Sequence, residues 1–121
     1  MEQKQERLGN WGEDRAAEYL EAKDFQILKR NFRLGKVGEI DIVAEERGTL
    51  VFVEVKTQSS DTMGEAMNWV TRSKQRQIGR VAQGYLAINK IANRDCRFDV
   101  ITVARRGSAV EISHLPNAFW L

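Results

Sequence analysis

Two periods of hydrophobic and polar residues run along this chain, and each change of period marks the edge of an element. From Leu8 to Lys23, the residues Gly12, Ala16, Tyr19 and Leu20, with Ala17 at the edge, fall on one arc of a helical repeat and predict an amphipathic helix. Lys23-Asp24 closes it, with Asp24 suited to a left-handed C-terminal position. Phe25 to Arg33 then alternates as a strand, broken by Gly35 and Gly38. Glu39 to Ala44 and Leu50 to Val55 are two β-prone runs around a polar break whose one glycine is Gly48, a hairpin signal. After a polar loop over Thr57 to Thr62, a long helix is expected from Gly64 to Lys90, with Met67, Val70, Ile78, Val81, Tyr85 and Ile88 on its apolar face. Arg97 to Ala104 is strongly β-prone, Arg105 to Ser108 turns, and Val110 to Leu115 returns as a shorter strand. Pro116 ends that strand, and Phe119-Trp120 is expected to dock the tail on the core.

The run Leu50 to Val55 is almost continuously apolar, as in a central strand covered on both faces. Helices before and after the first three strands supply that cover, which predicts an α/β fold: a central mixed β-sheet flanked by helices, in one domain spanning 1–121. No internal repeat, low-complexity tract or linker interrupts it.

Charges that break the pattern carry the functional signal. A hairpin loop centred between Arg47 and Gly48 sets Asp41 directly opposite Glu54, and like charges in that position destabilise a sheet. Lys56 projects from the same face two residues beyond Glu54. Either the lysine neutralises the pair, or two hard oxygen ligands hold a divalent cation such as Mg2+, with Mn2+ as a substitute. Glu13 lies inside the apolar arc of the first helix. It is either a capping-box glutamate, if the helix starts at Asn10, or a carboxylate aimed at a polar site. Lys74 sits in the middle of the second helix's apolar face, either as a lysine whose stem covers apolar surface or as an ammonium reaching the carboxylates or a phosphate. Arg72, Arg76 and Arg80 repeat on the other side and mark a face for solvent or a polyanion. Lys29, Arg30, Arg33 and Lys36 form a second basic cluster leading into Asp41. Asp99 is expected to pair with Arg97 or Arg94 rather than to bind metal.

Bulk properties narrow the classes. With 121 residues, 42% hydrophobic content and a net charge of +2, the chain can bury a core but lacks the charge of a protein that coats nucleic acid. Any polyanion contact must come from a local patch. The single Cys96 forms no internal disulfide, and neither a signal peptide nor a membrane span is visible, so a cytoplasmic protein without membrane association is expected. His114 is the one histidine and reads as a surface or partly packed residue. Ser59 and Ser60 have no nearby histidine base, and no glycine-rich phosphate loop follows a strand. A cation at Asp41 and Glu54 beside Lys56 has instead the parts for phosphodiester hydrolysis, with Glu13 adding a ligand directly or through water.

These residues also carry a resemblance. Gly9 to Leu20, Arg30-Asn31, Gly38-Glu39-Ile40-Asp41-Ile42-Val43, Val51-Phe52-Val53-Glu54-Val55-Lys56, Lys74 and Arg97-Phe98-Asp99-Val100 resemble the YraN-like family of small bacterial proteins over nearly the whole chain. That family is similar to archaeal Holliday-junction resolvases and has a restriction-endonuclease-like PD-(D/E)xK core. The resemblance implies a DNA endonuclease acting on duplex or branched substrates. It makes Asp41 and Glu54 magnesium ligands with the Val55 carbonyl as a third, Lys56 the catalytic lysine, and Glu13 the acid from the first helix. Lys74, Arg72, Arg76, Arg80, Arg30 and Arg33 become candidates for nucleic-acid contact. The sequence departs from the motif at Ile40, where a proline would precede Asp41, and at Gln58, where a basic residue is expected. The alternative is a non-catalytic nucleic-acid-binding or adaptor module that keeps the fold and works with a DNA-processing protein. A homodimer is expected if two strands are cut symmetrically.

Overall fold

The computed structural model describes residues 2–58 and 70–119. Its elements are α1 (Glu2–Ala22), β1 (Gln26–Leu34), β2 (Gly38–Glu46), β3 (Thr49–Gln58), α2 (Arg72–Ile88), β4 (Cys96–Arg106) and β5 (Ala109–Leu115). The five strands form one sheet in sequence order, antiparallel except where β3 pairs parallel with β4. The expected α/β arrangement around a mixed sheet is present, with β3 at its centre.

Each helix covers one face. Ala16, Ala17 and Leu20 of α1 pack on Ile42, Ala44, Val51, Val53, Ile101 and Val103. On the opposite face Ile78, Val81, Ala82 and Tyr85 of α2 meet Ile40, Val43, Leu50, Phe52 and Val100. Alternate residues of a strand point to opposite faces, so an unbroken apolar run such as Leu50 to Val53 feeds both layers. Phe119 docks the tail as expected, stacked 4.9 Å from Phe98, which itself stacks 5.5 Å from Phe52. Gly12 allows α1 to come close to β3: a Cβ there would lie 2.9 Å from the Cβ of Thr57.

The hairpin register is the one the loop position predicts, with Ile42 opposite Val53 and Val43 opposite Phe52. Asp24 ends α1 with φ +68. Several boundaries move. Helix α1 begins at Glu2, so Asn10 lies within it and the capping-box role for Glu13 is lost. The turns before Leu8 are strong helix formers without an apolar stripe, so hydrophobic periodicity does not reveal them. Helix α2 begins at Arg72, so no single helix runs from Gly64 to Lys90, because Thr71 caps it: its hydroxyl accepts from Lys74 N at 3.1 Å. Val70, one residue before the cap, is still buried, whereas Ile88 is 63% exposed and outside the core. Thr57 and Gln58 continue β3 rather than starting a loop, since both pair with β4. The rest of that loop, Met67, the helix start at Gly64 and Trp120 lie outside the described residues. Strand β1 is less regular than its alternation predicts, with a register shift between Ile27 and Lys29 and a left-handed Asn31.

Candidate active site

The site lies where β2 and β3 part. Their paired register ends at Ile42 and Val53, and Asp41 stands just beyond. There the Asp41 side chain takes over from the ladder, its Oδ2 accepting a hydrogen bond from Val55 N at 2.8 Å. Glu54, on the adjacent strand, is 4% exposed. Its Oε2 is 3.9 Å from Lys74 Nζ, while its Oε1 is buried with no hydrogen-bond partner among the described residues. Of the two readings of Lys74, the structure supports the one in which its ammonium leaves the apolar face of α2 for the carboxylates. Lys56 is partly buried on the same side of β3 as Glu54.

Burial and mutual repulsion hold this pair away from ordinary carboxylate behaviour. Burial pushes the Glu54 carboxyl up to about 8, with the Asp41 charge adding to it and Lys74 opposing it. Burial likewise pushes Asp41 up to about 6, against the hydrogen bond from Val55 N. Without a cation the pair therefore retains a proton near neutral pH, and the two groups titrate together. An oxygen-seeking cation matches this donor set: two buried carboxylates whose charges act on each other, one with an oxygen unbonded among the described residues. Among the described residues no three His, Cys, Asp or Glu side chains converge as a metal-holding group.

Glu13 is nonetheless buried and close enough for its charge to raise Asp41. Its Oε1 accepts from Arg30 Nε at 3.0 Å and from Asn31 Nδ2 at 2.9 Å. Burial raises its pKa more than these partners lower it. Arg30, expected on a nucleic-acid face, also donates to Asp14 at 2.7 Å and is committed to α1. Arg33 is more exposed, donating to Gly35 O and lying 3.9 Å from Glu39.

Arg72, Arg76 and Arg80 are exposed on α2 and make no ion pair among the described residues. They project away from the side on which Lys74 reaches Glu54. Most other described arginines are tied up: Arg15 with Glu18, Arg94 with Glu45, Arg97 with Glu46 and Asp99, and Arg106 with Glu111. Helix α2 carries four cations and no acid. Cations near a helix N-terminus oppose the macrodipole, so the exposed arginines make this face of the helix positive.

A family model described as "Uncharacterised protein family UPF0102" matches residues 12–103, a stretch that holds Glu13, Asp41, Glu54, Lys56 and Lys74. The chain belongs to this family. It is the YraN family whose motifs the sequence resembles. The UPF0102 protein of Syntrophotalea carbinolica is 50% identical over 112 residues, covering 93% of this chain and 90% of the relative. That of Geobacter metallireducens is 47% identical over 114 residues, covering 94% and 93%. Among solved structures, SfsA of Pyrococcus furiosus in complex with Ca2+ aligns over 86% of this chain and 62% of its own, at 13% identity and a TM-score of 0.35. That likeness is too slight to bear on the site.

Elsewhere in this UPF0102 chain, Asp99 is fully buried and pairs with Arg97, whose Nε and Nη2 lie 3.1 and 3.3 Å from its two oxygens. Arg94 is not its partner and donates to Gly48 O instead. Two further bonds come from Asn117 N at 2.9 Å and His114 Nε2 at 2.7 Å. Burial would raise the Asp99 carboxyl, but the bonds from His114, Arg97 and Asn117 outweigh it and lower the pKa. A carboxylate only accepts, so His114 carries a proton on Nε2, and its Nδ1 lies 3.2 Å from the Tyr19 hydroxyl. His114 is therefore a structural link between β5 and α1. Sequence reasoning missed that role, because nothing local joins residues this far apart in the chain.

Proposed function

We propose that this chain is a magnesium-dependent endonuclease acting on DNA phosphodiester bonds, with branched or recombination intermediates as the substrate class. The observation that carries this reading is the Asp41 and Glu54 pair, set where two strands part with one buried oxygen unbonded among the described residues. Asp41, Glu54 and the Val55 carbonyl would hold the cation. When bound, magnesium supplies positive charge against phosphate oxygens and makes water a stronger acid. Lys74 holds charge against Glu54, and Lys56 would meet the negative charge that builds up on the reacting phosphate. Arg72, Arg76 and Arg80 offer the backbone contacts of a local patch, as the modest net charge requires. Arg33 is a further contact in this reading. The protein acts in the cytoplasm, and as a homodimer when both strands of a junction are cut.

A panel of linear, flapped and four-way DNA substrates with Mg2+ or Mn2+ tests this. Cleavage by the wild type that is lost in Asp41→Ala and Lys56→Ala is the expected result. No cleavage of any substrate would favour the second reading, an adaptor that binds DNA and a processing partner without cutting. The specific observation on that side is the Lys74–Glu54 pair, which together with a retained proton lets the carboxylates persist as a structural cluster.

A further inference from the structure

Asn31 lies in the middle of β1 with φ +54, a left-handed conformation that strands do not use and that asparagine tolerates better than most residues. In the ladder with β2 it falls between the pairs Arg30–Ile42 and Phe32–Ile40, and so opposite Asp41. At that level the side-chain alternation reverses on both strands. Ile40 and Ile42, two residues apart, should share a face; instead Ile40 packs under α2 and Ile42 under α1, both fully buried. On β1, Phe32 joins the α2 layer while Arg30 reaches Glu13 of α1. Asp41 stands at the reversal, where β2 leaves β3 and the carboxylate meets Val55 N. The Asn31 amide is tied to the buried Glu13 at 2.9 Å.

We infer that Asn31 is a positioning residue for Asp41: its left-handed backbone reverses the two strands together and turns the Asp41 carboxylate out of the ladder, and its bond to Glu13 fixes that turn to α1. Glu13 then bears on the geometry of the site through Asn31. The consequence for cation binding rests on the function proposed above; the aim of Asp41 does not.

Amide hydrogen exchange at Val55, referred to Val53 in the same strand, reads that aim directly in Asn31→Gly, Asn31→Ala and Asn31→Val. Glycine accepts the left-handed conformation and should leave Val55 protected to within about threefold of wild type. Valine resists that conformation and should speed exchange by about tenfold or more, with alanine about fivefold above glycine. A folded valine variant with Val55 as protected as in the glycine variant would overturn the inference. If the valine variant does not fold, equal exchange in the alanine and glycine variants overturns it, and the graded order supports it. Calorimetric titration of Mn2+ into the same proteins separates the two proposals. Binding in the wild type that weakens in the valine variant supports both. A wild type that takes up no Mn2+ removes the cation reading while the Val55 comparison still decides the role of Asn31.

Discussion

Two carboxylates in contact with little water set the chemistry at the scale of single residues. Both Asp41 and Glu54 have pKa values raised on folding, so the folded state binds protons more tightly than the unfolded chain and their contribution to stability falls as pH rises. The decline should begin above the unfolded values of 3.8 and 4.5 and continue through about 6 and about 8. Melting temperatures of the metal-free protein between pH 5 and 8, roughly the window those values bracket, should therefore decrease. Saturating Mg2+ should flatten the decrease, since it stabilises the ionised pair, and Glu54→Gln should remove part of it. A metal-free melting temperature that stays flat across this range would show the pair to be ionised and well paired, because a lowered carboxyl adds its full stability already above its unfolded value. Asp99 has the opposite sign. Its lowered pKa adds stability that is present above 3.8 and lost only as pH falls below it. These residues were readable from the sequence to different degrees. Asp41, Glu54, Glu13 and Lys74 betray themselves as charges on local patterns otherwise apolar, and a period of two or of one helical turn is all that is needed to see them. Asn31 shows no such signal, because its conformation is set by the neighbouring strand and by Glu13, 18 residues away.

Element boundaries follow the same division between local and tertiary information. The β2–β3 hairpin register was legible from Glu46–Thr49 to Ile42–Val53 because a loop position fixes the pairs next to it, but the expected direct pair of Asp41 with Glu54 falls outside the ladder, where Asp41 bonds Val55 N instead. The length of β3 was not, since Thr57 and Gln58 become strand through β4, whose sequence lies beyond α2. Helix α2 gives the element-scale prediction. Its exposed arginines repel one another and the helix dipole, so replacing Arg72, Arg76 and Arg80 with glutamine should leave thermal stability unchanged or slightly raised. DNA affinity should fall. If each arginine meets one phosphate, the slope of log affinity against log salt should shrink by about 0.9 per contact removed. An unchanged slope would place the DNA on another surface.

Over the whole molecule, two helices and the tail are fastened to the sheet by separate polar anchors. Arg30 and Asn31 tie β1 to Glu13 of α1, Lys74 ties α2 to Glu54, and Asp99 gathers β4, β5, the tail and, through His114, α1. The first two meet at the proposed site; the third does not, which separates stability from activity. His114→Ala removes a hydrogen bond to a buried carboxylate and should cost about 2 kcal/mol in urea denaturation. Cleavage per folded molecule should be unaffected, and a selective loss of activity would assign His114 a part in the chemistry. No helix among the described residues is long and apolar enough to cross a membrane.

The central claim is that Asp41 and Glu54 hold a divalent cation, and thermal melting in a Mn2+ titration tests it most directly. The wild type should be stabilised progressively, by about 2.7 kcal/mol at a free concentration 100 times the dissociation constant. Asp41→Ala should show no metal-linked gain. A wild type whose melting temperature does not respond to Mn2+, or an Asp41→Ala protein that responds equally, would contradict the account.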